Sequence, residues 1–138
     1  MGDRSADQDF LGRLGPDTAA DFERLGVRRR FPGGAALFVE GDHAHEVFVL
    51  LAGEVKLAVG SAEGQQVVLD VFEAGALLGE LSVIDGGPRS ATVVALSPVE
   101  VLAVAATTFN EFLDRNVEDK KLIEKEETEK KKARKKKG

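Results

Sequence analysis

Residues 31–104 form a series of short apolar runs, separated by breaks that contain glycine or proline. The runs are rich in Val, Leu or Phe and lie at 36–39, 46–52, 55–59, 66–72, 91–96 and 99–104. The breaks between them include Gly33-Gly34, Gly41-Asp42, Gly53-Glu54, residues 60–64, Ala74-Gly75 and Ser97-Pro98. Regular short strands with turn signals between them predict a β-sandwich or a β-barrel. Periodicity alone does not choose between the two.

Helical patterns flank this strand-rich segment. Residues 9–14 and 17–25 predict two small packing helices, and Pro16 suits a first helical position because its missing N–H has no helical partner there. Thr108 and Glu111 have the spacing of a capping box, which predicts that a helix begins at Thr108. The 138 residues suffice for one domain with its own core. The expected class is therefore mainly β with flanking helices (α+β).

Composition excludes several classes of protein. The chain has no cysteine, which rules out a disulfide framework, thiolate metal sites and cysteine catalysis. No apolar run approaches the roughly 20 residues that cross a bilayer, and the first ten residues lack the apolar core of a signal peptide. We therefore expect no membrane span and a cytoplasmic location.

Charge divides the chain near Asn116. Residues 1–116 carry 9 Lys or Arg against 18 Asp or Glu, whereas residues 117–138 carry 10 against 6. The tail has strong helix formers but too few apolar residues for sustained heptads, so we expect a monomer or a weak homodimer. Its lysine run at 130–137 has no interleaved aromatic residue. Sequence-specific binding of nucleic acid is therefore not expected.

Residues 79–92, with the sequence GELSVIDGGPRSAT, offer a carboxylate, a guanidinium, hydroxyls and backbone amides in one short loop. Gly79 lets the backbone approach a ligand closely, and the Glu80 carboxylate can accept a hydrogen bond from a sugar hydroxyl. The Arg89 fork binds phosphate oxygens in pairs, and Ser90 adds a donor. These groups suit a ligand that carries a sugar and a phosphate. A plain β-hairpin with a surface arginine fits the bare loop equally well.

The stretch resembles the phosphate-binding cassette of the cyclic nucleotide-binding domain family, which includes the bacterial catabolite activator protein and the regulatory subunits of protein kinase A. The spacing from Gly79-Glu80-Leu81 to residues 88–92 is that of the family, without insertion. The resemblance extends upstream through residues 31–34, 40–42 and 47–55 and covers about residues 10–115. It implies an eight-stranded antiparallel β-roll of jelly-roll type, with short N-terminal helices and a C-terminal helix.

The resemblance also implies a function and a set of site residues. The chain would be a regulatory module that binds cAMP, or cGMP, without catalysis, cofactor or metal. Gly79 and Glu80 would meet the ribose 2′-hydroxyl. Arg89 and the Leu81 and Ser82 amides would meet the phosphate. The remaining candidates are Ser90, near the phosphate or base, and a pocket wall of Val68, Val71, Leu78 and Ala91.

The sequence departs from the family after the strands. Relatives of the catabolite activator type continue into an apolar dimerising helix and a DNA-binding domain, whereas this chain continues into a charged tail. We therefore expect a fragment of a larger regulator. The predicted segments are an N-terminal helical part (1–26), the β-roll (27–106), a packing helix (107–116) and a charged, helical or frayed tail (117–138).

Two other functions remain open. His43, His45 and Glu46 form a His-x-His arrangement with a carboxylate, as in jelly-roll metalloenzymes of the cupin type. The spacing argues against this reading, because cupins place the Glu further along and need another His on a later strand. The second alternative is an interaction module with a vestigial pocket. Three adjacent arginines, Arg28 to Arg30, are expected to form a solvated strand edge.

Overall fold

The computed structural model describes residues 9–116, and in this range the chain forms eight strands and four helices. Two four-stranded antiparallel sheets have the strand orders β1-β8-β3-β6 and β2-β7-β4-β5. The elements are α1 (Phe10–Leu14), α2 (Pro16–Arg24), β1 (Val27–Phe31), β2 (Ala36–Phe38), β3 (Glu46–Ala52), β4 (Val55–Gly60), β5 (Gln66–Phe72), β6 (Leu77–Leu78), α3 (Glu80–Asp85), β7 (Thr92–Ala95), β8 (Val99–Ala105) and α4 (Ala106–Arg115). The predicted eight-stranded antiparallel roll with flanking helices is confirmed.

The sheet that contains β3 and β8 is covered on both faces. Successive strand residues point to opposite faces, and in β3 both sets are apolar. Val47 and Val49 pack against the helices, in a cluster that we call the helical core and that includes Phe22, Phe109 and Phe112. The alternate residues of β3 pack between the two sheets, in a cluster that we call the roll core: Phe48 and Leu50 with Leu37, Leu78, Val93 and Val101.

Most strand predictions agree with the structure, but one strand was not predicted and the predicted start of one helix was wrong. Strands β3 and β5 have the predicted bounds, and Pro16 occupies the start of α2. The two-residue strand β6 was not predicted. The capping box was wrong, because α4 begins at Ala106, directly after β8, and Thr108 lies within its first turn. There the Ala106 N–H donates to the His45 carbonyl at 2.8 Å, so the β2–β3 loop supplies the acceptor.

The predicted packing helix at 107–116 is found one residue earlier, as α4. The predicted charged tail at 117–138, with its lysine run, lies outside the described residues, and so do residues 1–8. Within residues 9–116, no helix combines the length and the hydropathy that a membrane crossing requires.

Candidate functional site

The cassette lies at one end of the roll, where β2, β4 and β6 end and β5 and β7 begin. Gly79 follows β6 directly and has φ +84°, a left-handed conformation that favours glycine, and α3 starts at the next residue. Gly86, with φ +76°, ends this helix. Glu80 and Ser82 are both buried, although they are polar. The chain therefore folds tightly from β6 into a buried helical turn.

Arg89 is the most unusual residue of the site, because its side chain is only 3% exposed. Its Nη1 donates to the Gly79 carbonyl at 2.8 Å, and its Nη2 donates to the Glu46 carbonyl at 2.6 Å. The guanidinium carbon lies 4.0 Å from the centroid of the Phe38 ring, in a cation–π arrangement. The Nε atom is buried and has no hydrogen-bond partner among residues 9–116. One donor of a buried cation is thus left unsatisfied.

The surroundings of Arg89 act on its charge in two directions. Burial lowers the pKa of the Arg89 guanidinium, while the carboxylates of Glu46, Glu80 and Asp42 act to raise it. Arginine starts so far above neutrality that it stays protonated at physiological pH. The site therefore keeps a permanent positive charge, which acidic groups surround.

Backbone hydrogen bonds tie the cassette to the loop between β2 and β3. The Arg89 N–H donates to the Asp42 carbonyl at 2.8 Å, and the Gly41 N–H donates to the Arg89 carbonyl at 2.8 Å. The Glu40 N–H also donates to Thr92 Oγ1 at 2.9 Å. Because the backbone of Arg89 is held on both sides, the position of the guanidinium does not depend on its side-chain contacts alone.

Glycine at position 79 is required by close packing as well as by its backbone conformation. A Cβ atom there would lie 2.5 Å from Arg89 Nη1 and 3.1 Å from the Phe38 ring. Either atom would have to move to admit a side chain. Gly79 therefore allows the guanidinium to pack closely against the end of β6, beside Phe38.

The structure brings most of the predicted site residues together. Gly79 contacts Arg89 directly, and the other buried members lie beside it in chain and space: Leu78, Glu80, Leu81, Ser82 and Ala91. Ser90 lies next to Arg89 but is exposed. Which of these residues contacts a ligand stays a prediction.

The structure does not place Val68 and Val71 with the others. Val71 pairs with Lys56, which neighbours the fully buried Val55, so Val71 points away from the roll core. Val68 pairs with Ala58, on the face opposite to that of Leu57, and is 52% exposed. A register shift between Leu57 and Ala58 causes this placement of Val68, because it reverses the alternation of β5. Neither valine shares the face on which Leu57 and Phe72 pack against the roll core.

The residues that line the inner face were missed by the sequence analysis. Phe38 packs on Arg89 and stacks on Phe48, with ring centroids 6.1 Å apart. Leu57 and Phe72 pack against the roll core from the side of β4 and β5. Glu46 contributes its backbone carbonyl, which no side-chain pattern reports. The sequence did contain a signal for Phe38, which is the apolar run at 36–39. In the structure, a second register shift turns both Leu37 and Phe38 inward.

The two histidines lie side by side, with ring centroids 4.7 Å apart, and both are exposed. The Glu46 carboxylate is engaged by Arg29 Nη1 at 2.6 Å. Between residues 9 and 116, no group of three or more His, Cys, Asp or Glu side chains is arranged to hold a metal ion.

Arg28 and Arg30 lie on the outer face of β1, which is the face that points away from the roll core. Arg28 and Arg30 both reach Glu100, at 3.5 Å and 3.6 Å. Arg29 pairs with Val101 and points to the inner side, where it lies 5.1 Å from the Phe31 ring centroid. All three arginines are exposed, in a strand at the edge of its sheet, so the predicted solvated edge is confirmed.

Known proteins share this fold and parts of this sequence. The chain is 36% identical over 77 residues to a cyclic AMP receptor protein of Thermus thermophilus, a match that covers 56% of this chain and 36% of the relative. It is 32% identical over 96 residues to a cAMP-dependent protein kinase regulatory subunit of Dictyostelium discoideum, covering 68% and 29%. The crystal structure of the Thermus thermophilus catabolite activator protein superimposes with a TM-score of 0.79 at 24% identity, covering 90% of this chain and 60% of that one.

The chain thus spans about a third of the length of these curated relatives. The family model described as the cyclic nucleotide-binding domain matches residues 28–116, which include β1, the cassette and α4. On this match, the chain belongs to the cyclic nucleotide-binding domain family.

Proposed function

We propose that this chain is a sensor module that binds a cyclic purine mononucleotide, cAMP or cGMP, at the cassette of residues 79–92 and does not transform it. The observation that carries the proposal is the buried Arg89 guanidinium with its unsatisfied Nε. Leaving a buried donor unpaired costs about 1–3 kcal/mol, and more for a charged group. A phosphate oxygen at Nε would remove that cost and add a charge-assisted bond.

The same geometry suits a phosphate that binds through two of its oxygens. Two of the three guanidinium nitrogens already donate to the carbonyls of Gly79 and Glu46. An anion that reaches Nε and the second hydrogen of an Nη can bind in the paired manner without breaking those bonds. The Leu81 and Ser82 amides follow on α3, and Ser90 stands next to Arg89. These groups would share the phosphate oxygens.

The sugar would lie beside Glu80. This carboxylate is buried at the start of α3, one residue from Gly79, and acts on the charge of Arg89. A ribose 2′-hydroxyl is a donor that a carboxylate can accept. In this arrangement Glu80 binds the sugar and does not serve as an acid or base, so no chemical step is assigned to the site.

The relatives support a regulatory role. Two of them are a cyclic AMP receptor protein and the regulatory subunit of a cAMP-dependent protein kinase. Because this chain spans only part of their length, we propose that it is the sensing part of a larger cytoplasmic regulator. The output domain belongs to the rest of that protein.

The proposal is tested by calorimetric titration of the chain with cAMP and cGMP. Wild type is expected to bind at least one of them, and Arg89→Ala is expected to lose about 2–5 kcal/mol of binding free energy, because the phosphate charge would be left unpaired. Arg89→Lys keeps the charge but lacks the planar fork, so it should recover only part of the loss.

Arg30→Ala is the matched control, because Arg30 is exposed on the outer face of β1. It should leave the affinity unchanged. Thermal unfolding of each variant separates loss of the site from loss of the fold. No heat with either nucleotide, or equal affinity in Arg89→Ala and wild type, would contradict the proposal and favour an interaction module.

A further inference from the structure

We propose that Asp70 contacts the purine base of the bound nucleotide and favours guanine over adenine. The inference rests on the proposed function, because it takes the phosphate to lie at Arg89. It concerns a residue that the cassette does not contain and that the sequence analysis did not select.

One row of cross-strand partners runs across the sheet that contains β2, β7, β4 and β5. Phe38 in β2 pairs with Val93 in β7, and Val93 pairs with Leu57 in β4. Leu57 in turn pairs with Asp70 in β5. Directly paired residues of antiparallel strands point to the same face. All four side chains therefore project to the inner side of this sheet, where Val93 belongs to the roll core and Phe38 and Leu57 pack against it.

The two ends of this row differ in charge. At one end the Arg89 guanidinium lies 4.0 Å from the Phe38 ring centroid. At the other end stands the Asp70 carboxylate, three strands away. With neighbouring strands about 4.8 Å apart, the row is roughly 14 Å long. Val93 and Leu57 make its middle apolar. The row thus offers a cation, an apolar strip and an anion, in that order.

A purine nucleotide has the complementary order. Its phosphate is the anion, its base has two apolar faces, and the edge of the base carries hydrogen-bond donors. With the phosphate at Arg89 and the sugar at Glu80, a base that extends along the row covers the apolar strip and directs its edge to β5. Asp70 is the acidic residue of the row at that position.

The local geometry holds the Asp70 carboxylate in place. Asp70 is half-buried, and its Oδ1 accepts a hydrogen bond from the Val71 N–H at 2.8 Å. Asp70 lies at the register shift between Leu57 and Ala58. Because of this shift, its side chain points to the inner side of the sheet and that of Val68 points to the opposite side. An ionised carboxylate has about four acceptor positions on its two oxygens, so Asp70 can accept from a ligand in addition to its contacts within the protein.

An ionised carboxylate accepts hydrogen bonds and donates none. The Watson–Crick edge of guanine presents two adjacent donors, the N1 hydrogen and the 2-amino group. The edge of adenine presents one donor, the 6-amino group, next to an acceptor at N1, which would face the carboxylate unfavourably. Asp70 therefore fits guanine with two bonds and adenine with one bond and a repulsion.

The test compares the affinities of wild type and Asp70→Asn for cGMP and cAMP by calorimetric titration. Wild type is expected to bind cGMP about tenfold more tightly than cAMP, or better, since each charge-assisted bond contributes on that order. Asparagine accepts from and donates to adenine, so Asp70→Asn should lower the cGMP-to-cAMP preference by about tenfold or more.

Asp70→Asn retains the oxygen that accepts from Val71, so the fold should persist, and thermal unfolding checks this. Glu54→Gln is the control, because it removes the same charge from an exposed position at the opposite end of β4. A preference for cAMP in wild type, or an unchanged preference in Asp70→Asn, would overturn the assignment of Asp70 and leave the proposed function standing. Absence of binding to both nucleotides would overturn both.

Discussion

Arg89 stabilises the fold and is proposed to bind an anion. The two roles are compatible because they use different N–H groups of the guanidinium. Its Nη atoms hold the carbonyls of Gly79 and Glu46, which fixes the end of β6 against the start of β3. Its Nε is buried and has no hydrogen-bond partner among residues 9–116. A bound anion therefore adds to the existing contacts of the guanidinium. The guanidinium can occupy this place because residue 79 has no side chain.

Gly79→Ala is expected to weaken cyclic nucleotide binding and to lower the free energy of unfolding. The left-handed backbone costs a residue with a Cβ about 1–2 kcal/mol, and the new methyl group would lie 2.5 Å from Arg89 Nη1. Displacing the guanidinium should reduce the affinity about tenfold or more, as loss of one charge-assisted bond does. Titration and chemical denaturation measure the two effects separately.

Gly34→Ala is the matched comparison. Gly34 has φ +89°, and a Cβ there would meet no atom within 4 Å. The backbone strain is similar, but Arg89 is not touched. Gly34→Ala should therefore lose stability and keep its affinity. Equal losses of affinity in both variants would show that Gly79 acts only through stability.

The sequence makes the spacing of the candidate cassette residues visible, but it does not reveal the residues that surround them. Gly79, Glu80 and Arg89 lie within one short stretch, so their spacing is visible in the chain. Phe38 comes from a distant strand and has the same apolar character as any core residue, so no local pattern marks it. Asp70 is a polar residue in an apolar strand, and its facing depends on a register shift that arises only on pairing with β4.

Helix α3 is too short to be stable by itself, because helices of a few residues gain less from hydrogen bonds than nucleation costs. It is held instead by packing. Val83 points into the helical core, with Phe109 and Phe112 of α4, while Glu80 at its start lies near Arg89. The same short element therefore connects the candidate site with the helical layer.

Val83→Ala is expected to lower the free energy of unfolding by about 1–3 kcal/mol, because it removes two methyl groups from a packed cluster and leaves a cavity. Val83 is 6% exposed. Val27→Ala makes the same chemical change at a residue that is 68% exposed and should cost less than about 0.5 kcal/mol. Urea denaturation of both variants gives the comparison, and similar losses would mean that α3 is not anchored through Val83.

The sequence predicted which long segments form strands, but it did not predict the shortest strand or the register of pairing. The apolar runs gave β3 and β5 their correct bounds, because each run is long and ends at glycine or polar residues. Two features depended on pairing: β6 is only two residues long, and the shift between β4 and β5 inserts one residue. The start of α4 was missed because the strand before it ends directly in the helix, so a loop carbonyl replaces the expected cap.

Two cores meet at the sheet of β3 and β8, and Phe22 of α2 packs against residues of α1 and α4. Its ring lies 5.1 Å from that of Phe10, 5.0 Å from Phe112 and 6.3 Å from Phe109, all in edge-to-face arrangements. Helices α1 and α2 are thus packed together with α4. Residues 10–24, which form these two helices, therefore share a core with α4.

Phe22→Ala is expected to lower the free energy of unfolding by about 3–5 kcal/mol, since Phe22 is fully buried and contacts three rings. Leu96→Ala, at a residue that is 49% exposed, serves as the reference for a large-to-small change outside the cores. Thermal and urea unfolding report the loss. A cost near 1 kcal/mol for Phe22→Ala would indicate that the N-terminal helices contribute little to the domain.

The pairing of β1 with β8 has a consequence for synthesis. Among the strands that the structure describes, β1 is synthesised first, and its hydrogen-bonding partner β8 is synthesised last. Until residue 105 has emerged, β1 has no strand to pair with, and an unpaired strand can join another nascent chain. Three consecutive arginines in β1 repel such a contact. In the folded protein the same arginines form ion pairs with Glu46 and Glu100.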